Sequence, residues 1–215
     1  MRKENNMEFK IENTAVYGLN KSFIASGNAM RTTMQDNEKE ATEKDLKRAC
    51  NLGNTGTGEG HDNFLNGIIV QFNLYAPLYM WKQLQRYHFL DFVSSQSTMH
   101  RLTKFNIKEQ CVEDTDYLIL ARYQELLDEY HNLEIDLKNT KDIELANQIK
   151  NRLWRKLVAS LPCGFVLGAT MTTNYRQLKT IYNQRKNHKL IEWKMFCEWC
   201  EELPYFKELC LKGEN

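Results

Sequence analysis

The chain has 215 residues, 42% of them hydrophobic, and its 29 lysines and arginines nearly cancel its 28 acidic residues to leave a formal net charge of +1. No Pro/Gly/Ser-rich linker divides it, so a single domain over residues 1–215 is expected. A near-neutral chain has no global field to draw in a nucleic-acid polymer or an anionic membrane, no apolar run is long enough to cross a bilayer, and any bound anion must be held by local groups.

In chain order, residues 7 to 17 alternate roughly as an edge strand, and Ser22 to Met34 carries Phe23, Ile24, Ala29 and Met30 at helical spacing. Residues 35 to 48 are almost wholly polar and lead into a charged helix from Thr42 to Leu52, with Thr42 as N-cap. A glycine-dense loop from Gly53 to Asn63 precedes a strand from Ile68 to Leu74. Such a loop either brings backbone N–H groups close to a ligand or simply covers surface; it is no P-loop and lacks dinucleotide-binding spacing. Ala76-Pro77 then opens a helix to Arg86, since proline suits a first helical turn. After it come Arg86-Tyr87-His88, a third strand within residues 88 to 105, and the hydroxyl-rich run Ser94 to Thr98 before His100-Arg101.

Apolar residues at helical spacing mark two long helices, Asp114 to Leu137 and Thr140 to Ala159. The turn at Lys138 to Asp142 is short enough to fold them into an antiparallel hairpin. Leu161-Pro162-Cys163-Gly164 ends the second, and the apolar passage Phe165 to Met171 leads to Thr173, an N-cap for a helix reaching Arg185. Along that helix Asn174, Leu178, Ile181 and Arg185 fall on one stripe with polar ends. An Asn and an Arg at a helix start can meet an anionic or heteroaromatic ligand, or merely cap and solvate the helix. A last helix runs from Leu190 to Glu202.

The six cysteines sit in otherwise ordinary sequence and the first residues lack the apolar core of a signal peptide, which together read as free thiols in a reducing cytoplasm. Cys197 and Cys200 match C-x-x-C inside a helical pattern, which favours buried helical thiols over a redox or zinc site, so no metal is expected. There is no nucleophile elbow, and His88 and His100 have no identifiable acid partner for a serine triad. Local chemistry alone thus reaches an α+β domain with a candidate anion site.

The ordered combination goes further, because it resembles the flavin-dependent thymidylate synthases, the ThyX family. Members carry Ala-Pro, then Gln three residues before an Arg-His-Arg triplet, then a serine loop closing on Ser-x-Arg. Further on they show Leu-Pro, Asn-x-Arg opening a helix, an Arg, a His and a Trp-Glu pair. This chain has Ala76-Pro77, Gln83 three residues before Arg86-Tyr87-His88, Ser97 and Arg101, then Leu161-Pro162, Asn174-Tyr175-Arg176, Arg185, His188 and Glu192-Trp193.

The resemblance implies an α+β, ThyX-like fold with a central, mostly antiparallel sheet covered by helices and a long helical hairpin. It implies FAD as cofactor and reductive methylation of dUMP to dTMP, with methylene-tetrahydrofolate and a reduced nicotinamide such as NADPH as further substrates and no cysteine nucleophile. On this correspondence Arg86, His88, Asn174 and Arg176 face the flavin, and Gln83, Ser97, Arg101 and Arg185 contact the nucleotide. Family members are homotetramers whose sites combine residues of several subunits, so these segments need not meet within one chain. Two alternatives stay open: a relative that binds flavin or nucleotide without this activity, and an enzyme acting on another pyrimidine nucleotide.

Overall fold

The computed structural model describes residues 7–34, 39–56, 59–136 and 143–211, and there the chain is α+β. Strand β1 (Lys10–Tyr17) is followed by α1 (Leu19–Ala25) and α2 (Glu43–Gly53), and β2 (Ile69–Pro77) runs straight into α3 (Leu78–Leu84). Strand β3 (Asp91–Ser95) precedes the short α4 (Thr98–Arg101) and α5 (Ile107–Gln110), then the long α6 (Tyr117–Asp136) and α7 (Ile143–Ala159). The chain continues through β4 (Val166–Asn174), α8 (Tyr175–Arg185), α9 (Ile191–Glu202) and α10 (Phe206–Cys210). The four strands form one antiparallel sheet in the order β1-β2-β4-β3.

Two compact units are distinguished, one made of Met1–Phe9, Tyr75–Gln83 and Ser95–Gly168, the other of Lys10–Leu74, Leu84–Ser94 and Ala169–Asn215. In the first, Tyr123, Leu126, Leu127 and Tyr130 of α6 pack with Leu157 of α7 and with Leu102, Ile107, Cys111 and Phe165. Early α6 meets late α7, where the Tyr123 hydroxyl donates to the Leu157 carbonyl at 3.1 Å, and later in α6 the Tyr130 ring lies under Lys150 Nζ. The two helices are therefore antiparallel, as a hairpin requires. The turn expected at 138–142 lies outside the described residues.

The second unit is built on aromatic packing: Trp193 meets Phe196 at 5.6 Å between ring centroids, Phe72 meets Trp199 at 4.5 Å, and Tyr175 meets Phe206 at 5.3 Å. Its helix α2 begins where the sequence places it. The Thr42 hydroxyl accepts from the Asp45 amide while the Asp45 carboxylate accepts from the Thr42 amide, a closed capping box. Arg48 and Arg31 flank the same carboxylate, and the Thr42 hydrogen bond first, then Arg48, holds it well below the usual carboxylate range.

Several boundaries differ from the sequence expectation for physical reasons. The helix expected over residues 22–34 is replaced by α1, ending at Ala25, and a single 3-10 turn at Asn28–Met30. Arg31 and Arg48 donate to the carbonyls of Ile24 and Phe23 and the Ser26 hydroxyl also donates to Phe23, so the last carbonyls of α1 are satisfied without another turn. Pro77 closes β2 rather than opening α3; the next two amides, of Leu78 and Tyr79, donate to Phe165 and Cys163. The strand expected within 88–105 covers only Asp91–Ser95, because the Ser97 hydroxyl accepts from the His100 amide and starts α4. Conversely, Phe165 to Met171 reads as a mere apolar passage and yet supplies most of β4, which lies between two other strands.

Candidate functional site

The α3 helix ends at Leu84, and the Tyr87 amide closes a turn on the Leu84 carbonyl. Exposure then alternates: Arg86 and His88 face outward, whereas Tyr87 between them is only 9% exposed. Its ring stands edge-on to the fully buried Trp193 at 6.4 Å. Its hydroxyl accepts from Arg185 Nε at 2.8 Å and donates to Gln184 Oε1 at 3.1 Å. The Arg185 guanidinium in turn lies 4.6 Å from the Trp193 ring centroid and 5.7 Å from that of Tyr87.

These groups open onto a cavity of ≈ 470 Å³ lined by Arg86, Tyr87, His88, Gln177, Thr180, Gln184 and Arg185. That volume falls within the range of about 300–1,000 Å³ usual for small-molecule sites. The lining combines two guanidinium groups, an imidazole, two side-chain amides, a phenol and an aliphatic hydroxyl. Such a set offers charge-assisted bonds to an anion and neutral bonds to the edge of a heteroaromatic ring. No lining residue is a cysteine. His188 accepts from the Leu190 amide at Nδ1, which places its ring proton on Nε2, and burial together with the Arg185 charge holds its pKa below the ordinary histidine value.

Helix α8 is set by residues separated widely in sequence. Asn174, not Thr173, is its N-cap, its Oδ1 accepting from the Gln177 amide at 2.8 Å. The Thr173 hydroxyl instead donates to the Phe89 carbonyl at 2.6 Å. Lys179, 5% exposed, donates to the carbonyls of Gly53 and Thr55 and pairs with Asp62 at 3.3 Å. Arg176 Nε donates to the other oxygen of Asp62 at 3.1 Å. Asp62 itself is 2% exposed. The described part of the glycine-dense loop is thus anchored to α8 by an ionic triad in which the buried Asp62 pairs with the buried Lys179 and the half-exposed Arg176.

Of the residues singled out in the sequence, Arg86, His88 and Arg185 come together at the cavity, whereas Asn174 caps α8 and Arg176 pairs with Asp62. Gln83 in α3, Ser97 at the start of α4 and Arg101 at its end belong to the other compact unit. Leu178 and Ile181, placed on one stripe with Arg185, are fully buried, and the face of α8 that lines the cavity is Gln177, Thr180 and Gln184. Sequence reasoning missed that face, although its spacing of three and four residues is itself a helical polar stripe. Tyr87, the buried member of the Arg86-Tyr87-His88 segment, has no site role in the sequence reading. Among the described residues there is no group of His, Cys, Asp or Glu side chains that could hold a metal ion.

No family model matches the sequence, and no curated protein matches it either. Solved structures do match the fold. A flavin-dependent thymidylate synthase ThyX from Helicobacter pylori, complexed with FAD and dUMP, superposes with a TM-score of 0.64 at 17% identity, over 96% of this chain and 100% of that one. A second structure of the Helicobacter pylori enzyme with FAD and dUMP gives 0.64 at 16% identity, over 97% of this chain and 100% of that one. The UMP/dUMP methylase PolB from Streptomyces cacaoi, bound with 5-Br dUMP, gives 0.60 at 15% identity, over 95% of this chain and 92% of that one. A likeness spanning nearly the whole chain at such low identity is a likeness of architecture, and the fold of this chain is that of the flavin-dependent thymidylate synthases.

Proposed function

We propose that this chain is a flavin-dependent pyrimidine-nucleotide methylase of the ThyX type, with dUMP as substrate and dTMP as product. The observation that carries this reading is the cavity in which Arg86, His88 and Arg185 converge, in a fold shared with proteins whose structures hold FAD with dUMP or a bromo-dUMP. The donor set fits a flavin nucleotide or a mononucleotide, because both combine an anionic phosphate with a heteroaromatic ring. When bound, a reduced flavin would supply the hydride and methylene-tetrahydrofolate the one-carbon unit, so that the C5 hydrogen of the uracil ring would leave as a proton and be replaced by a methyl group, with tetrahydrofolate and oxidised flavin as the other products. The protein's share is positioning and electrostatic stabilisation.

Within this reading, Arg86 and His88 contact the cofactor, and Arg185 holds the anionic or carbonyl edge of the nucleotide. Gln177, Thr180 and Gln184 add neutral hydrogen bonds along the same wall. Asn174 and Arg176 support the flavin side, with Asn174 acting through the start of α8. Gln83, Ser97 and Arg101 are assigned to the nucleotide, in a homotetramer where another copy can bring them to the site. Residues 1–215 then act as one ThyX-like domain, with methylene-tetrahydrofolate and NADPH as co-substrates. The six free thiols and the absence, among the described residues, of a helix long and apolar enough to cross a membrane support a cytoplasmic enzyme.

Titration of the purified protein with FAD, followed by flavin fluorescence, and with dUMP, followed by calorimetry, tests the reading. Saturable binding of both, with dTMP formed when methylene-tetrahydrofolate and NADPH are added, is the expected result. Flavin fluorescence unchanged over a wide concentration range removes the cofactor assignment. Binding of both ligands without product favours a binding protein, and product from UMP but not dUMP reassigns the nucleotide.

A further inference from the structure

We propose that Tyr87 is a positioning residue, whose hydroxyl locks the Arg185 guanidinium against the cavity wall before any ligand arrives. The inference rests on the nucleotide-binding reading of Arg185 given above. An arginine Nε–H can only donate, so the phenol oxygen must accept from it, and the phenol proton is left for Gln184 Oε1. The direction of both bonds is thereby fixed, and the Gln184 amide is oriented with them. Trp193 supplies the second constraint, its ring 4.6 Å from the guanidinium carbon and edge-on to Tyr87.

A long arginine side chain ordinarily loses rotamer freedom when it binds a ligand. Here the Tyr87 hydrogen bond and two rings are among the contacts that hold the guanidinium, and that loss falls on folding instead. Phenylalanine at position 87 would keep the ring packing and leave Nε without this acceptor. Tyr87 therefore acts on the ligand through Arg185.

The test is a double-variant cycle read in two independent ways. Calorimetry with dUMP compares wild type, Tyr87→Phe, Arg185→Ala and the double variant, while ¹H–¹⁵N spectra follow the Arg185 Nε–H. Tyr87→Phe should weaken dUMP about five-fold, the equivalent of one hydrogen bond, and should have almost no further effect once Arg185 is Ala. The Arg185 Nε–H signal, slow to exchange in wild type, should broaden or vanish in Tyr87→Phe without ligand. An equal loss of affinity in both Arg185 backgrounds, or an Nε–H signal unchanged by Tyr87→Phe, overturns the proposal. If wild type binds no dUMP, the nucleotide reading fails, and the Nε–H signal alone still decides whether Tyr87 holds Arg185.

Discussion

At the scale of single residues, Arg185 concentrates the functional argument. It ends α8, lines the cavity, and is held by a phenol and an indole. Arg185→Ala should weaken dUMP binding by about 1.5–3 kcal/mol, the range for a hydrogen bond to a charged group, with a much smaller effect on thermal stability without ligand. Arg185→Lys should recover only part of the loss, because an ammonium has no Nε–H to give Tyr87 and no planar fork. Equal dUMP affinity of wild type and Arg185→Ala by calorimetry would take the residue out of the site. The cysteines show the opposite role: Cys197 and Cys200 lie buried in α9, where burial raises both thiol pKa values, that of Cys197 to about 11. They are packing residues, as their place inside a helical pattern suggests.

The secondary-structure elements separate what is legible locally from what is not. Thr42 and Asp45 stand three residues apart, so the start of α2 can be read from the sequence, and its pH response can be derived. The Asp45 carboxyl is held low by the Thr42 hydrogen bond and Arg48, so its stabilisation is fully present above the unfolded value of about 4. It is lost as pH falls through the lower folded value. Denaturation midpoints of Asp45→Asn should therefore fall less steeply below pH 4 than those of wild type, and Thr42→Ala should cost about 1 kcal/mol at neutral pH. The start of α8 was legible only to within one residue, because Thr173 and Asn174 are both good caps and the Phe89 carbonyl that takes the Thr173 hydroxyl is remote in sequence. Strand β4 was hidden because its first four residues, Val166 to Ala169, are all apolar or glycine, so the sequence shows no polar alternation where the strand begins. No local rule could pair Lys179 with Asp62 across 117 positions. Lys179→Met should destabilise the protein by about 3 kcal/mol in urea titrations, since it leaves a buried carboxylate with only Arg176 and strips the Gly53 and Thr55 carbonyls of their donor. A loss below about 0.5 kcal/mol would mean that water replaces the amine, as at an ordinary surface site.

At the scale of the whole molecule, the motif order from Ala76 to Trp193 pointed to the architecture even though identity to solved structures of that fold is only 15–17%. The anchors were legible because they are polar and ordered, whereas the helices between them follow only a burial pattern that many sequences satisfy. Assembly is the remaining expectation. Tyr117, Leu118 and Ile119 on α6, and Ile143 and Ile149 on α7, are exposed in the single chain. Light scattering should give about four times the 25.4 kDa chain mass, and Ile149→Glu should lower it; a mass of one chain at working concentrations would defeat the homotetramer. The anchoring of α8 also bears on how fast a ligand can enter. Asn174 caps the first turn, the Tyr175 hydroxyl donates to the Pro204 carbonyl, Lys179 grips Asp62, and Tyr87 holds Arg185 at the last turn. A wall fastened along its length needs no rearrangement before capture, so encounter rather than conformational waiting sets the association rate. In stopped-flow mixing with dUMP, the observed rate should climb in a straight line with nucleotide concentration and show no plateau.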